Sequence, residues 1–167
     1  MANQDAAFGF RPIGKVGQNR DNQGLSEYNI AANSSAIYQN DTVQFLATGY
    51  VGVADTTTAV LLGSLNGVFY TDIANQKPRW ANHLAASNAA TDIVGFVSDD
   101  PYERFEVQAD GTLIIADIGL NTDIVYAAGA SPNFVSKVEI DSNTANTTTA
   151  SKQFRILGVA KDIENSE

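Results

Sequence analysis

Residues 99–111 read DDPYERFEVQADG and carry the clearest structural pattern in the chain. Asp100-Pro101 predicts an extended or turn conformation, because the proline ring disfavours a helical residue before it. The apolar side chains that follow are Phe105, Val107 and Ala109, and they alternate with the polar side chains of Arg104, Glu106 and Gln108. This period of two predicts a strand with one buried face and one hydrated face. Asp110-Gly111 then predicts a hairpin turn, since glycine accepts a positive φ.

Apolar runs lie on both sides of this stretch, at residues 93–97 (IVGFV) and 113–116 (LIIA). Short apolar runs bounded by turn residues are typical of buried strands. The three segments together predict adjacent strands, of which the middle one is amphipathic and the outer two are largely buried. Nothing in this stretch has the pattern of a catalytic motif.

Short apolar or alternating segments recur along the whole chain. The predicted strands before the central stretch lie at residues 25–32, at 42–47 and 50–54 (a hairpin), and at 60–62 and 68–70. Asn66-Gly67 is either the turn of a second hairpin or a bulge in one long strand. A break is predicted at residues 76–80, and residues 81–90 are either a short alanine-rich helix or a loop.

The predicted later strands lie at residues 122–126, 136–140 and 154–160, and the Thr- and Asn-rich residues 141–151 are predicted to form an exposed loop. Short strands with frequent turns favour an all-β fold, a single antiparallel β-sandwich or β-barrel-like domain. We place an extended N-terminal arm at residues 1–24, the β domain at 25–161 and a polar C-terminal tail at 162–167.

Composition excludes several classes of function. The net charge of −9 argues against a general nucleic-acid binder, which needs a basic face. Without cysteine there is no disulfide, thiolate metal site or cysteine nucleophile. The N-terminus has no pattern of a signal peptide, and no apolar run approaches the length of a membrane span, so we expect no membrane association.

The N-terminal 24 residues differ from the rest in charge. They hold three basic and two acidic residues, whereas the remaining chain is strongly acidic. Within them, Phe8-Gly9-Phe10-Arg11-Pro12-Ile13 is apolar without an obvious core of its own. Two interpretations stay open: the phenylalanines fold back onto the domain, or the arm extends and orders on a neighbouring subunit or partner.

The candidate catalytic residues are few. His83 is the single histidine, which leaves no histidine cluster for a metal and no serine-hydrolase motif around it. Asp99, Asp100 and Glu103 are the closest group of acids, but turn formation and a hydrated strand face explain them better than glycoside hydrolysis does. Trp80 and the tyrosines are more typical of core or interface than of a sugar-binding groove. We therefore expect neither an enzyme nor a cofactor.

Several short pieces of the chain resemble a group of small structural proteins of tailed bacteriophages. The opening MANQDAAFGFRP is similar to the start of many of them, and the similarity continues in Asn40-Asp41-Thr42-Val43, Gly49-Tyr50-Val51, Gly67-Val68-Phe69-Tyr70, residues 100–108 (DPYERFEVQ), Asp117-Ile118-Gly119 and residues 154–158 (FRILG). These pieces span most of residues 1–160. The family it resembles is that of capsid decoration (cement) proteins.

The resemblance implies a mainly β protein, made in the host cytoplasm, that sits on the capsid exterior of the virion and ties neighbouring major capsid proteins together. It further implies a homo-oligomer, with a homotrimer favoured. The candidate capsid-binding residues are Phe8, Phe10, Arg11, Pro12 and Ile13, with the phenylalanines as apolar anchors and the arginine meeting an acidic group. The alternative is a tail or baseplate component, or a module that binds a glycan receptor of the host.

Overall fold

The chain is all-β, as the sequence predicts. The computed structural model describes residues 5–17, 24–145 and 152–160. The strands within these residues are β1 (Arg11–Lys15), β2 (Ser26–Asn29), β3 (Thr42–Phe45), β4 (Val51–Val53), β5 (Leu61–Asp72), β6 (Lys77–Ala81), β7 (Val94–Ser98), β8 (Glu103–Glu106), β9 (Asn121–Thr122), β10 (Ile124–Val125), β11 (Glu139–Ile140) and β12 (Phe154–Arg155). A single 3₁₀ turn at Ile115–Asp117 is the only helical element among the described residues.

Six strands form the main sheet: five in the antiparallel order β2-β7-β5-β3-β4, and β6, which pairs with β5 beside β3. β5 is twelve residues long, so that β3 pairs with its first part and β6 with its last part. At about 3.3 Å per residue β5 spans roughly 40 Å and connects the two ends of the domain. The break predicted at residues 76–80 is wrong, because residues 77–81 form β6. Pro78 fits there because β6 lies at a sheet edge, where a missing N–H costs no ladder bond.

The inner face of the main sheet carries the first core. Its buried members are Ile30, Ile37, Val43, Val51, Leu65, Val68, Tyr70, Leu84, Ala90, Ile93 and Val97. Alternate residues of β5 and β7 supply the sheet side of this core, as period two requires. The segments around residues 30–37 and 84–93 cover it, joined by a bridge between Ile37 and Leu84. Residues 81–90 are therefore a loop anchored by buried Leu84 and Ala90, and not a helix.

A bulge in β5 settles the ambiguity at Asn66-Gly67. Leu65 pairs with Val97 and Gly67 pairs with Phe96, so Asn66 is the extra residue opposite β7. The bulge shifts the in-out alternation of side chains along β5 by one residue. Gly67 and Phe69 therefore lie on the same face as Ser64, and that face is opposite the first core. We call this the outer face of the main sheet.

Three two-stranded sheets surround a second core, with the pairs β1-β8, β9-β12 and β10-β11. Its buried side chains are Phe10, Ile124, Val138 and Ile140, and partly buried Phe105, Val107, Ala109, Leu113, Tyr126 and Phe154 pack against them. The apolar face predicted for the central stretch is therefore confirmed. The predicted pairing of this strand is wrong, because β8 pairs with β1 and not with the strands predicted on either side of it.

Residues 39–41 join the two cores. The backbone N–H of Asn40 donates to Leu65 in the main sheet, while its carbonyl accepts from Phe10 and its side chain donates to the carbonyl of Phe8. Gly9 passes this point with a φ of 72°, and a Cβ there would lie 2.5 Å from the Asn40 carbonyl oxygen. Only glycine accommodates both the conformation and the contact.

Two further predictions are wrong in detail. Residues 113–116 do not form a buried strand; they lead into the 3₁₀ turn, because the Asp117 carboxylate accepts the N–H of Ile114 and closes the chain there. The predicted strand at 154–160 is limited to β12. The predicted strands at 25–32, 42–47, 50–54 and 93–97 are confirmed as β2, β3, β4 and β7.

Candidate binding surfaces

The N-terminal segment packs against the domain. Phe10 is only 1% exposed; it stacks on Phe154 with ring centroids 4.3 Å apart and meets Phe105 edge-to-face. Its carbonyl accepts a 2.7 Å hydrogen bond from Ser64 on the outer face of the main sheet. The ring is part of the second core, so the hypothesis that Phe10 is an exposed anchor is wrong for this conformation. The interpretation in which the phenylalanines fold back is the one the structure bears out.

Of the other four candidate residues, Arg11, Pro12 and Ile13 lie on β1, and Phe8 precedes it. Arg11 forms an ion pair with Glu106 and lies 4.9 Å above the ring of Phe8. Pro12 pairs with Phe105 in the β1-β8 ladder and is half-buried. Ile13 is 55% exposed. Of the five, Ile13 alone presents a large, mostly exposed apolar side chain, and the charge of Arg11 is already met within the chain. Their role in binding a capsid stays a prediction.

The acids of the central stretch have structural partners. Asp99 accepts hydrogen bonds from the hydroxyls of Ser26, at 2.9 Å, and Tyr28. Asp100 forms a 2.8 Å ion pair with Lys15. The bond to Asp99 raises the pKa of Tyr28 above its ordinary value, because it stabilises the protonated hydroxyl. These contacts attach β2 and β1 to the turn before β8, which is the turn role that the sequence favoured.

His83 lies between aromatic rings. It stacks on Phe134 with centroids 4.0 Å apart, and Nδ1 is 3.0 Å from the side-chain oxygen of Asn82. Partial burial, with a contribution from the charge of Arg79, lowers the pKa of His83. Within residues 5–17, 24–145 and 152–160, no three His, Asp or Glu side chains come together in the way that a metal ion requires.

A buried carboxylate lies at the junction of the two cores. Asp41 is fully buried and accepts the backbone N–H of Tyr38 at 2.8 Å. Burial raises the pKa of Asp41 to about 6, against the opposing effect of hydrogen bonds from Ser136 and Tyr38. Tyr126 is near enough for the Asp41 charge to raise its own pKa, after burial as the larger cause.

An aromatic platform occupies the exposed end of the outer face, formed by Phe69, Trp80 and Phe96. Phe69 is the cross-strand partner of Trp80, and the Trp80 and Phe96 ring centroids lie 4.5 Å apart. Trp80 is 55% exposed. The sequence singled out Trp80 as a candidate for sugar binding but gave no sign of the two phenylalanines, which lie 11 and 16 residues away and are brought in by the pairing of β5.

An open groove of about 520 Å³ lies beside this platform, between β1 and the outer face. Its polar lining includes Gln39, Asn66, Ser98 and Glu103. The side chains of Asn66 and Ser98 make no hydrogen bond to the part of the chain that the structure describes. Asn66 is the bulge residue next to Gly67, so the groove and the platform are continuous on one face.

An aliphatic corner lies at the 3₁₀ turn. Its exposed side chains are Ile114, Ile115, Ile118, Leu157 and Val159, of which Ile115 reaches 63%. Residues 118–120 run beside residues 156–159, because Ile156 exchanges backbone hydrogen bonds with Gly119 and Leu120. The sequence predicted residues 113–116 to be buried, so this surface was missed.

Comparison with known proteins gives no relative for the chain. No protein-family profile matches it, and neither the curated proteins nor the solved structures contain a match. Across the described residues, the search for a helix long and apolar enough to cross a membrane found none.

Proposed function

We propose that the protein is a structural component of a tailed-phage virion that binds the outer surface of the capsid. In this proposal it stabilises the shell by bridging neighbouring major capsid proteins. It acts as a homo-oligomer, with a trimer favoured. The observation that carries the proposal is the aliphatic corner. The resemblance of the chain to capsid decoration proteins indicates that the partner is a capsid.

The aliphatic corner suits burial against another protein. Soluble monomers rarely expose contiguous apolar patches of this kind, and those that do usually use them for association. Two polar side chains border the corner: Asp117, which accepts the N–H of Ile114, and Arg155, whose guanidinium would lie 3.9 Å from a Cβ built on Gly119. At about 25 cal/mol per Å², burial of such side chains is a substantial contribution to association.

Modest affinity per copy is sufficient on a capsid. A shell offers many equivalent sites, and an oligomer that engages several of them gains from effective concentration. Ile13 is a second candidate contact on the β1 surface. Removal of residues 1–24 is a poor test of that contact, because it also removes Phe10 from the second core.

The test is cosedimentation of the purified protein with undecorated capsids, followed by electron microscopy of the shells. We expect saturating, regularly spaced density on the exterior. Ile115→Asp places a charge in the corner and is expected to weaken binding at least tenfold. The matched control is Ile73→Asp, because Ile73 is about half exposed and follows β5 at its far end.

Lack of wild-type binding to shells would refute the proposal, and a tail or baseplate role would then be tested with purified tails. Equal loss in the Ile73→Asp control would mean that charge alone, and not the corner, controls binding. Ile13→Asp measures the β1 contact in the same assay and leaves the second core intact.

A further inference from the structure

The ring of Trp80 lies flat on the main sheet. A Cβ built on Gly67 would lie 3.3 Å and 3.5 Å from two atoms of the indole ring, so the ring crosses the glycine with nothing between them. Trp80 is nevertheless more than half exposed. The indole therefore packs on the backbone of β5 and against the Phe96 ring, which is tilted by 48° to it, and more than half of Trp80 stays open to solvent.

Polar groups surround this platform on the same face. Glu27 is the cross-strand partner of Phe96, and Asn66 is adjacent to Gly67. The groove that begins at Asn66 adds Ser98 and Glu103. Side-chain amides, a hydroxyl and carboxylates thus lie within reach of a ligand that rests on the indole. This combination differs from that of the aliphatic corner, whose exposed side chains are mainly aliphatic.

A ligand for this surface needs a flat C–H face and many hydroxyl groups. A pyranose ring has both: its axial C–H bonds pack on an aromatic face, and its hydroxyls exchange hydrogen bonds with planar amides and carboxylates. A groove open at both the platform and the β1 side admits a chain of sugar units. Arg11 also lines the groove, but its charge is paired with Glu106. The net charge of −9, with Glu27 and Glu103 at the site, therefore disfavours an anionic polysaccharide.

We propose that the platform and its groove bind a neutral oligosaccharide, with Trp80 stacked on one sugar ring and the polar groups of the groove holding the next units. Phe69 and Phe96 enlarge the apolar surface beside Trp80. The site lies on a different surface from the aliphatic corner, and it shares residues 11–13, which line the groove, with the candidate capsid-binding residues. The proposal does not depend on capsid binding.

The test uses Trp80 itself, because it is the single tryptophan of the chain and its emission reports on this site alone. The probes are the hexasaccharides of β-1,4-glucose, β-1,4-N-acetylglucosamine and α-1,4-glucose, with an oligogalacturonate as the anionic comparison. We expect a saturable blue shift with at least one neutral probe and a weaker response, or none, with the anionic one.

Calorimetry with the same probe measures the variants. Trp80→Ala and Phe69→Ala are expected to weaken binding about tenfold or more, which is the effect of losing a stacked aromatic contact of about 1.4 kcal/mol. Tyr50→Ala is the matched control, because Tyr50 is an exposed aromatic residue in the turn between β3 and β4 and is expected to leave affinity unchanged.

Three results would overturn the proposal. The first is an emission spectrum that no neutral hexasaccharide changes. The second is sugar affinity that survives Trp80→Ala. The third is a Trp80 emission shift that appears with rising protein concentration or with undecorated capsids and that no sugar competes away. Such a shift would mean that the face is a protein interface.

Discussion

The first and second cores contain similar side chains but are built in different ways. The first lies under strands of three to twelve residues, and all its buried members fall within residues 30–97. The second is enclosed largely by two-residue strands and joins the N-terminal segment to residues 105–154. The first core is therefore supported by a continuous hydrogen-bond ladder, whereas the second depends on individual side chains, above all Phe10.

Phe10→Ala is the change with the largest expected effect on this comparison. It removes a ring that is packed between Phe105 and Phe154 and leaves a cavity, so we expect a loss of about 3–5 kcal/mol in the free energy of unfolding. The measurement is urea denaturation followed by both Trp80 fluorescence, which reports on the main sheet, and far-UV circular dichroism.

Coincident transitions in both signals would show that the two cores unfold together. Separate transitions, with Trp80 unaffected, would show that the first core is stable by itself and would contradict cooperativity across the junction. Phe10→Leu retains most of the volume and provides a folded variant if the alanine does not fold. Ile13→Ala is the control, because Ile13 is exposed on β1, the strand directly after Phe10, and it is expected to change stability by less than about 0.5 kcal/mol.

Asp41→Asn tests the junction itself. The folded-state pKa of about 6 lies above the ordinary value of 3.8, so the folded protein holds the proton more tightly than the unfolded chain does. Stability is therefore highest below pH 4 as far as this group is concerned, and falls as the pH rises through 6. Two pKa units correspond to about 3 kcal/mol.

The asparagine variant lacks this ionisation, and we expect it to be more stable than the wild type at pH 7, by up to about 3 kcal/mol, and equal to it near pH 4. Thermal unfolding over pH 4–8 measures the difference. Glu27→Gln, at an exposed position of β2, is the control and is expected to run parallel to the wild type. If the stability difference between Asp41→Asn and the wild type grew as the pH fell, the sign of the prediction would be reversed and the prediction refuted.

Arg11→Gln has the smallest expected effect. The ion pair between Arg11 and Glu106 joins β1 to β8, but both side chains are partly hydrated. Exposed pairs contribute about 0.2–1 kcal/mol, and we expect a loss in that range that shrinks further at high salt. A double-mutant cycle with Glu106→Gln measures the pair. A coupling energy well above 1 kcal/mol would mean that this pair stabilises the second core more than a hydrated ion pair does.

The fold could be predicted where side chains alternate under a regular ladder. β2, β3, β4 and β7 obey a period of two, and the sequence shows it. The segment at 113–116 failed because an apolar run by itself does not distinguish a strand from a turn, and the deciding contact is the single hydrogen bond from Ile114 to Asp117. The partner of β8 could not be predicted, because no local pattern specifies pairing with a strand 95 residues away.

The candidate surfaces were harder to predict than the fold. The sequence marks Phe8 to Ile13 as an unusual apolar segment that either folds back onto the domain or extends onto a partner. It does not decide between them, because burial of Phe10 depends on Phe154 at the other end of the chain. The platform requires the bulge at Asn66, which places Gly67 and Phe69 on the outer face. A one-residue difference in register would have turned Phe69 into the first core.

The pairing of β1 with β8 bears on the order in which the strands form during translation. β1 emerges first, but its partner β8 follows 95 residues later. Phe154, on which Phe10 stacks, is synthesised later again. The strands of the first core are all synthesised by Ser98. We therefore expect the main sheet to form on the nascent chain while the first-made segment waits, unpaired, for the last part of the second core to be translated.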